Sequence, residues 1–358
     1  MLKKLLSLIL ISLSLFAISC DSSKESEKTC KDNEVLINEE CKVKDSLCGE
    51  LKCTETQECI NEQCVLKEEP LCADIACEEN EQCIDDICVK KSITFSTYNL
   101  FDLTKINAYI NLARFISNNN IDIMVNQEIQ VEDKDALIEQ LEMLGIKVFI
   151  EFTSYGGTTS SDGHDYLAII SKWPIKEANT ILNETYEDPI SNNSYTFTYT
   201  RPIHEVKIDV FGEEITIFNL HLKAQSPWPT CPTCIEKRRA QAHALENYIK
   251  ENYNPEIDKI IIAGDANTAT ENDEDFETGN TLDILSLKSD NPEVTENDFL
   301  PVNFTYKRET THTIFESLMD HIILSPELTK NYREGSVDVV TPEGSPSDHK
   351  AVLLILDF

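Results

Sequence analysis

Ten of the thirteen cysteines in this 358-residue chain lie between Cys30 and Cys88. Cys20 precedes them, and Cys231 and Cys234 follow at a distance. Such a density suits only a compartment where disulfides persist, outside the reducing cytosol. The spacing is periodic: Cys48, Cys53, Cys59 and Cys64 stand five, six and five apart, and Cys72, Cys77, Cys83 and Cys88 repeat that pattern 24 residues later. A partial copy begins at Cys30, where Ile37-Asn38-Glu39-Glu40-Cys41 echoes Ile60-Asn61-Glu62-Gln63-Cys64. In that copy Leu36 replaces the equivalent of Cys59, and Glu25 stands where the equivalent of Cys48 would be. Two positions are therefore absent together, which predicts first-to-third and second-to-fourth pairing: Cys30–Cys41, Cys48–Cys59, Cys53–Cys64, Cys72–Cys83 and Cys77–Cys88. Units this small bury too little apolar surface to hold without such links. The segment 30–88 reads as a protease-resistant spacer, with a binding module for a cell-surface polymer or partner protein as the alternative. It holds no histidine, which disfavours a zinc module.

The N-terminus agrees with export. Lys3 and Lys4 precede an apolar run from Leu5 to Ile18, shorter than a bilayer-spanning helix needs. The run ends in Ala17-Ile18-Ser19-Cys20, which resembles a bacterial lipobox. Residues 1–19 are thus expected to be a lipoprotein signal peptide, with Cys20 acylated and residues 20–29 forming a polar tether. The expected location is the bacterial cell envelope, facing the periplasm or the exterior.

From Ile93 onward, short apolar strands alternate with amphipathic helices, the signature of an α/β architecture. Strands are predicted over 93–99, 121–125, 166–171, 203–210, 214–220, 259–263, 319–324 and 350–356, and helices over 106–116, 136–144 and 235–253. The acidic stretch 268–300 lacks periodicity and reads as a long surface loop with short helical pieces. The net charge of −33 counts against a general nucleic-acid binder, because no Lys/Arg block offers a compensating groove. It counts less against an enzyme whose bound cation reverses the local field.

Polar residues recur at the ends of these strands, where a sheet fixes side chains well. Tyr98-Asn99-Leu100, Asn126-Gln127-Glu128, Asn219-Leu220-His221, Gly264-Asp265-Ala266-Asn267, Asp320-His321 and Ser347-Asp348-His349 follow in that order. Any one of them could be an ordinary turn; together they specify a site. This ordered set resembles the endonuclease/exonuclease/phosphatase superfamily, which includes deoxyribonuclease I, abasic-site endonucleases, inositol-polyphosphate phosphatases and neutral sphingomyelinases. The resemblance covers residues 93–358, and Gly-Asp-x-Asn with the terminal Ser-Asp-His carries most of it.

The resemblance implies a four-layer α/β sandwich, two β-sheets face to face with helices outside, behind the disulfide-rich repeats. It implies a divalent cation, Mg with Mn or Ca as substitutes, held by Asn99 and Glu128 with Asp348 joining directly or through water. It assigns Asp265 to the attacking water, Asn267 to that water or a phosphate oxygen, and His221 and His349 to the flanks of the phosphate. Asp320 fixes the tautomer of His349, and Arg201 lies near the phosphate. Asn126 departs from the family pattern, which places an apolar residue there. Asp165 is the candidate partner of the first histidine. His164, His204, His243 and His312 are given surface or packing roles, and His321 is expected on the opposite strand face from Asp320. Cys231–Cys234 is read as a small loop disulfide.

The reaction implied is metal-assisted attack of water on phosphorus. For the substrate, Asn219–Ala224 followed by Arg238-Arg239-Ala240-Gln241-Ala242 looks most like secreted bacterial nucleases, which favours DNA or RNA. A sphingomyelinase-like phospholipid phosphodiesterase, with Trp228 as a membrane contact, and a small phosphomonoester phosphatase remain alternatives. An inactive phosphoesterase fold serving as an adhesion module is the non-enzymatic one. A monomer is expected.

Overall fold

The computed structural model describes residues 34–37, 40–43, 57–60, 63–66, 77–78, 81–84, 87–101, 108–154, 166–181, 185–196, 202–224, 233–268, 281–288, 297–344 and 347–358. Cys20, Cys30, Cys48, Cys53, Cys72, Asp165, Arg201, Trp228 and Cys231 lie outside these residues, as do the signal-peptide and tether readings. Among the described residues no helix is long and apolar enough to cross a membrane.

The chain divides into two compact units, Met1–Ala76 and Cys77–Phe358. The first contains two hairpins, β1 (Glu34–Ile37) with β2 (Glu40–Val43) and β3 (Gln57–Ile60) with β4 (Gln63–Leu66). The second unit opens on a third, β5 (Glu81–Ile84) with β6 (Ile87–Lys90). All three share one register. Leu36 sits opposite Cys41, Cys59 opposite Cys64, and Cys83 opposite Cys88. The sequence repeat is therefore a repeat of hairpins, and Leu36 occupies the place of a third cysteine. The expected Cys77–Cys88 bond is formed. Cys83 and Cys234 are disulfide-bonded too. The last hairpin falls with the larger unit because β6 runs into the strand beginning at Ser92 with one residue between.

Two six-stranded sheets form the larger unit. One has the order β19-β20-β7-β8-β10-β9, with β7 Ser92–Asn99, β8 Ile123–Ile129, β9 Phe149–Phe152, β10 Tyr166–Ser171, β19 Asp338–Val340 and β20 Ala351–Asp357. The other has the order β11-β14-β15-β16-β18-β17, with β11 Ile175–Ile181, β14 Ile203–Val210, β15 Glu213–His221, β16 Lys259–Asp265, β17 Leu300–Pro301 and β18 Asp320–Leu324. A further two-stranded hairpin joins β12 (Thr185–Glu187) to β13 (Ser194–Thr196). Each large sheet contains one parallel pair, β7 with β8 and β15 with β16, and all other pairings are antiparallel. A parallel pair needs a crossover connection. Helix α1 (Ala108–Asn118) crosses between β7 and β8, and α3 (Cys234–Asn252) between β15 and β16.

These crossovers build the outer layers. Leu112, Ala113, Phe115 and Ile116 of α1 pack with Leu137 and Leu141 of α2 (Lys134–Met143) onto Met124, Ala168 and Ile170 of the first sheet. Ala242, Leu245 and Ile249 of α3 pack onto Phe218, Leu220, Ile260 and Ile262 of the second. Between the sheets, Phe95, Ile123, Val125, Ile169, Val352 and Leu354 meet Val206, Ile208, Ile215, Ile217, Ile261 and Ile322. This is the expected four-layer sandwich. The acidic stretch carries a short helical piece as expected, Thr281–Leu285, but not on the surface: Leu282, Ile284 and Leu285 are buried in the α3 layer with Phe299. Its apolar residues are too few to establish a period in the sequence.

Candidate functional site

The strand directions decide where polar side chains gather. The parallel strands end at Asn99, one residue past Glu128, at His221 and at Asp265, while the antiparallel neighbours β18 and β20 begin at Asp320 and just after His349. Ends and starts therefore fall on one edge of the sandwich.

Asp265 is central. Its Oδ2 accepts from Asn99 Nδ2 at 3.1 Å and from Asn267 Nδ2 at 3.2 Å, and lies 3.4 Å from His221 Nε2 and 3.8 Å from His349 Nε2. Its Oδ1 accepts the backbone N–H of Asn267 at 2.8 Å, which closes a tight turn. Asn267 has φ +52°, a conformation Asn tolerates better than most residues. Its amide also donates to Leu222 O at 3.1 Å, so Asn267 holds Asp265 against the end of β15. The glycine of Gly-Asp-x-Asn has a steric cause: Gly264 has φ +140°, and a Cβ there would stand 2.0 Å from Leu220 O.

Glu128 arrives by a different device. The pairing of β8 with β10 shifts between Tyr166 and Ala168, leaving one extra residue on β8. Glu128 in this bulge has φ +53°. Bulges of this kind re-aim a side chain. Glu128 Oε1 accepts from Asn99 Nδ2 at 3.1 Å and lies 3.5 Å from His221 Nε2. Asn99 thus spans both carboxylates through its amide nitrogen, while its Oδ1 accepts from the N–H of Phe101.

His349 Nδ1 donates to Asp320 Oδ2 at 2.8 Å. Burial opposes a charge on this ring, but the carboxylates of Asp320, Asp265 and Asp348 and the hydrogen bond to Asp320 push it up to about 10. Asp320 is itself fixed: Thr311 Oγ1 accepts the N–H of Met319 and of Asp320, and Asn303 Nδ2 donates to Asp320 O. His321 points away, as alternation requires, and its Nε2 lies 2.8 Å from Thr268 Oγ1. Burial drops its pKa to about 4. Ser347 Oγ donates to Asn99 O at 2.6 Å and accepts His349 N–H at 3.0 Å, tying the last motif to the first.

The structure brings together Asn99, Glu128, His221, Asp265, Asn267, Asp320 and His349. Asp348 stands between two histidines: its Oδ2 lies 3.4 Å from His312 Nε2 and its Oδ1 4.0 Å from His349 Nε2. Burial works against its ionisation, yet His312 and His349 hold its pKa below the usual value. His312, read from sequence as a packing residue, belongs to this site. No spacing signal could have found it. Gln127 and Asn219 were visible in their motifs but not their task. Gln127 Nε2 donates to Asn219 Oδ1 at 2.8 Å, and Asn219 Nδ2 donates to Asn126 O and Ala168 O, so these buried amides join the two sheets beneath the site. Asn126, the departure from the family pattern, is buried and donates to Tyr98 O at 3.1 Å. Arg238 and Arg239 are buried as well. Arg238 donates to Lys223 O, two residues beyond His221, and Arg239 forms a two-point pair with Asp188 at 2.8 and 2.7 Å.

The donor set suits a hard divalent cation. Glu128, His221 and Asp265 present ligand atoms within 4.8 Å of one another, as do Asp265, Asp320 and His349. Two carboxylates aimed at one buried point need a counter-charge, and oxygen donors of this type favour Mg²⁺-like ions.

The family model described as Endonuclease/Exonuclease/phosphatase family matches residues 97–349. Among solved structures, the chain is similar to an endonuclease/exonuclease/phosphatase from Beutenbergia cavernae DSM 12333, at 14% identity and TM-score 0.56, covering 75% of this chain and 72% of that one. It is similar to a family protein from Leptotrichia buccalis C-1013-b, at 15% identity and TM-score 0.52, covering 74% and 100%. It is also similar to D. rerio TDP2 humanised by 14 mutations, at 15% identity and TM-score 0.50, covering 75% and 100%. At these identities the likeness concerns the fold. No curated protein matches the sequence.

Proposed function

Because the chain belongs to the Endonuclease/Exonuclease/phosphatase family, we propose that it is a divalent-metal-dependent phosphodiester hydrolase of the cell envelope, with nucleic acid as its substrate. The observation that carries the reaction is Asp265, buried and ringed by Asn99, Asn267, His221 and His349 within 3.8 Å. A carboxylate held so firmly has one orientation in which to take a proton from water. Asp265 orients and deprotonates the attacking water as the new P–O bond forms. Asn267 keeps the carboxylate in place. His221 and His349 direct Nε2 toward the same space, where an N–H donates to a nonbridging oxygen or protonates the leaving oxygen as its bond to phosphorus breaks. Glu128 and Asn99 would hold the cation, which when bound neutralises charge on the phosphate. Asp348 would join directly or through water.

The nucleic-acid reading rests on the likeness of Asn219–Ala224 and Arg238–Ala242 to secreted nucleases. The lipobox supports acylation of Cys20 and attachment to the envelope. Hydrolysis assays on the full chain with Mg²⁺ test the substrate: DNA or RNA should be cleaved, and turnover of sphingomyelin or a phosphomonoester in preference to both would refute it. Fatty-acid labelling of the wild type but not of Cys20→Ala tests the anchor, and equal labelling would refute it.

A further inference from the structure

We propose that His312 is a positioning residue that acts through Asp348, holding that carboxylate beside His349 in the site. His312 is buried in a short turn closed by the bridge between His312 and Ser317. Its Nδ1 accepts two backbone N–H groups, Ile314 at 3.2 Å and Phe315 at 3.1 Å. A nitrogen that accepts twice carries no proton, so the ring proton sits on Nε2. That N–H faces Asp348 Oδ2 at 3.4 Å. The same tautomer argues against His312 as a metal ligand, although His312, Asp348 and His349 could group around an ion, because Nε2 offers a hydrogen and not a lone pair.

The surroundings fix both partners. The ring of Phe315 stacks on His312 at 4.6 Å, and the ring of His349 meets it edge-on at 4.7 Å. Asp348 O accepts from the N–H and the hydroxyl of Thr313, at 2.7 and 2.8 Å, so the turn that carries His312 also grips the backbone of Asp348. With Oδ2 engaged, Asp348 Oδ1 is left buried, without a hydrogen-bond partner among the described residues, 4.0 Å from His349 Nε2. His312 thus sets which oxygen of Asp348 faces the site. The consequence for turnover rests on the hydrolase reading above.

The test uses the full chain, bis(p-nitrophenyl) phosphate and three backgrounds. His312→Phe keeps the ring contacts and removes both nitrogens. It should lower kcat about 10-fold or more with KM within about 3-fold, since Asp348 Oδ2 loses the N–H that faces it. His312→Gln restores an N–H donor and should recover most of the loss. In an Asp348→Asn background, His312→Phe should cost nothing further, because the two act as one unit. Equal, multiplicative losses in both backgrounds, or a His312→Phe enzyme as fast as wild type, would overturn the proposal. Histidine-selective ¹⁵N spectra read the tautomer without reference to activity: the signal lost in His312→Gln should be that of an Nε2–H ring, and an Nδ1–H ring would overturn it. An inactive wild type would instead count against the hydrolase reading, while the spectra still decide the tautomer.

Discussion

His349 and Asp320 stand at the starts of strands in different sheets, yet a 2.8 Å hydrogen bond from Nδ1 to Oδ2 joins them. The bond leaves His349 Nε2 as the nitrogen facing Asp265. Asp320→Asn puts an amide donor or a neutral acceptor against Nδ1 and removes the carboxylate that helps to hold the ring charged. Steady-state kinetics should show kcat reduced about 10²–10⁴-fold, the range typical of a compromised proton-transfer group. A kcat within a few-fold of wild type would show that the pair has no part in turnover.

The amide bridge beneath the site is structural. Asn219 Nδ2 serves two carbonyls of the first sheet, and its Oδ1 receives Gln127. Asn219→Leu leaves those buried groups without partners, each worth about 1–3 kcal/mol. Urea denaturation followed by near-ultraviolet circular dichroism should show a loss of roughly 3 kcal/mol. A loss under about 1 kcal/mol would mean that the interface repacks.

Asp188 and Arg239 give a pH test. Burial raises the cost of the Asp188 charge, but the guanidinium of Arg239 and the groups of Ser191 outweigh it and hold the carboxyl at about 2. A folded-state pKa below the unfolded value stabilises above the unfolded value, and that contribution is lost as pH falls toward 2. Asp188→Asn should therefore cost about 3 kcal/mol at pH 7, where Arg239 loses the carboxylate of its two-point pair. The gap should narrow by about 1 kcal/mol at pH 3, because the wild type has lost part of the same contribution. A constant gap at both pH values would contradict this assignment.

His204 runs the other way. It is 1% exposed with neither ring nitrogen hydrogen-bonded among the described residues, and burial lowers its pKa to about 4. Between its unfolded value near 6.5 and about 4, the unfolded chain takes a proton that the folded one refuses, so stability falls as pH drops through that window. His204→Leu should stabilise by about 1 kcal/mol at pH 7, with the gain rising by about 2 kcal/mol at pH 5. A destabilised variant at both pH values would indicate a bound water or partner.

What could be read from the sequence follows local pattern. The central strands carry unbroken apolar runs, such as Ile260-Ile261-Ile262, and the strand-end motifs stand beside them, so both were visible. Edge strand β11, Ile175–Ile181, is largely exposed and has no apolar alternation to betray it. Thr281–Leu285 is too short for a helical period. His312 lies 36 residues before Asp348, with nothing in the sequence to link them, and its role exists only once Thr313 folds back onto that backbone. Arg238 and Arg239 stand in the stretch that resembles secreted nucleases, and burial on α3 commits them to Lys223 O and Asp188.

The central claim is that Asp265 acts on water while Glu128 serves a cation. The direct measurement is phosphodiester turnover by the full chain over a Mg²⁺ titration, in wild type, Glu128→Gln and Asp265→Asn. Chelation should abolish wild-type activity. Glu128→Gln should need more Mg²⁺ and recover part of its rate, since mass action offsets a weaker site. Asp265→Asn should stay about 10²–10⁴-fold slower at every concentration. Near-normal turnover by Asp265→Asn would contradict the account.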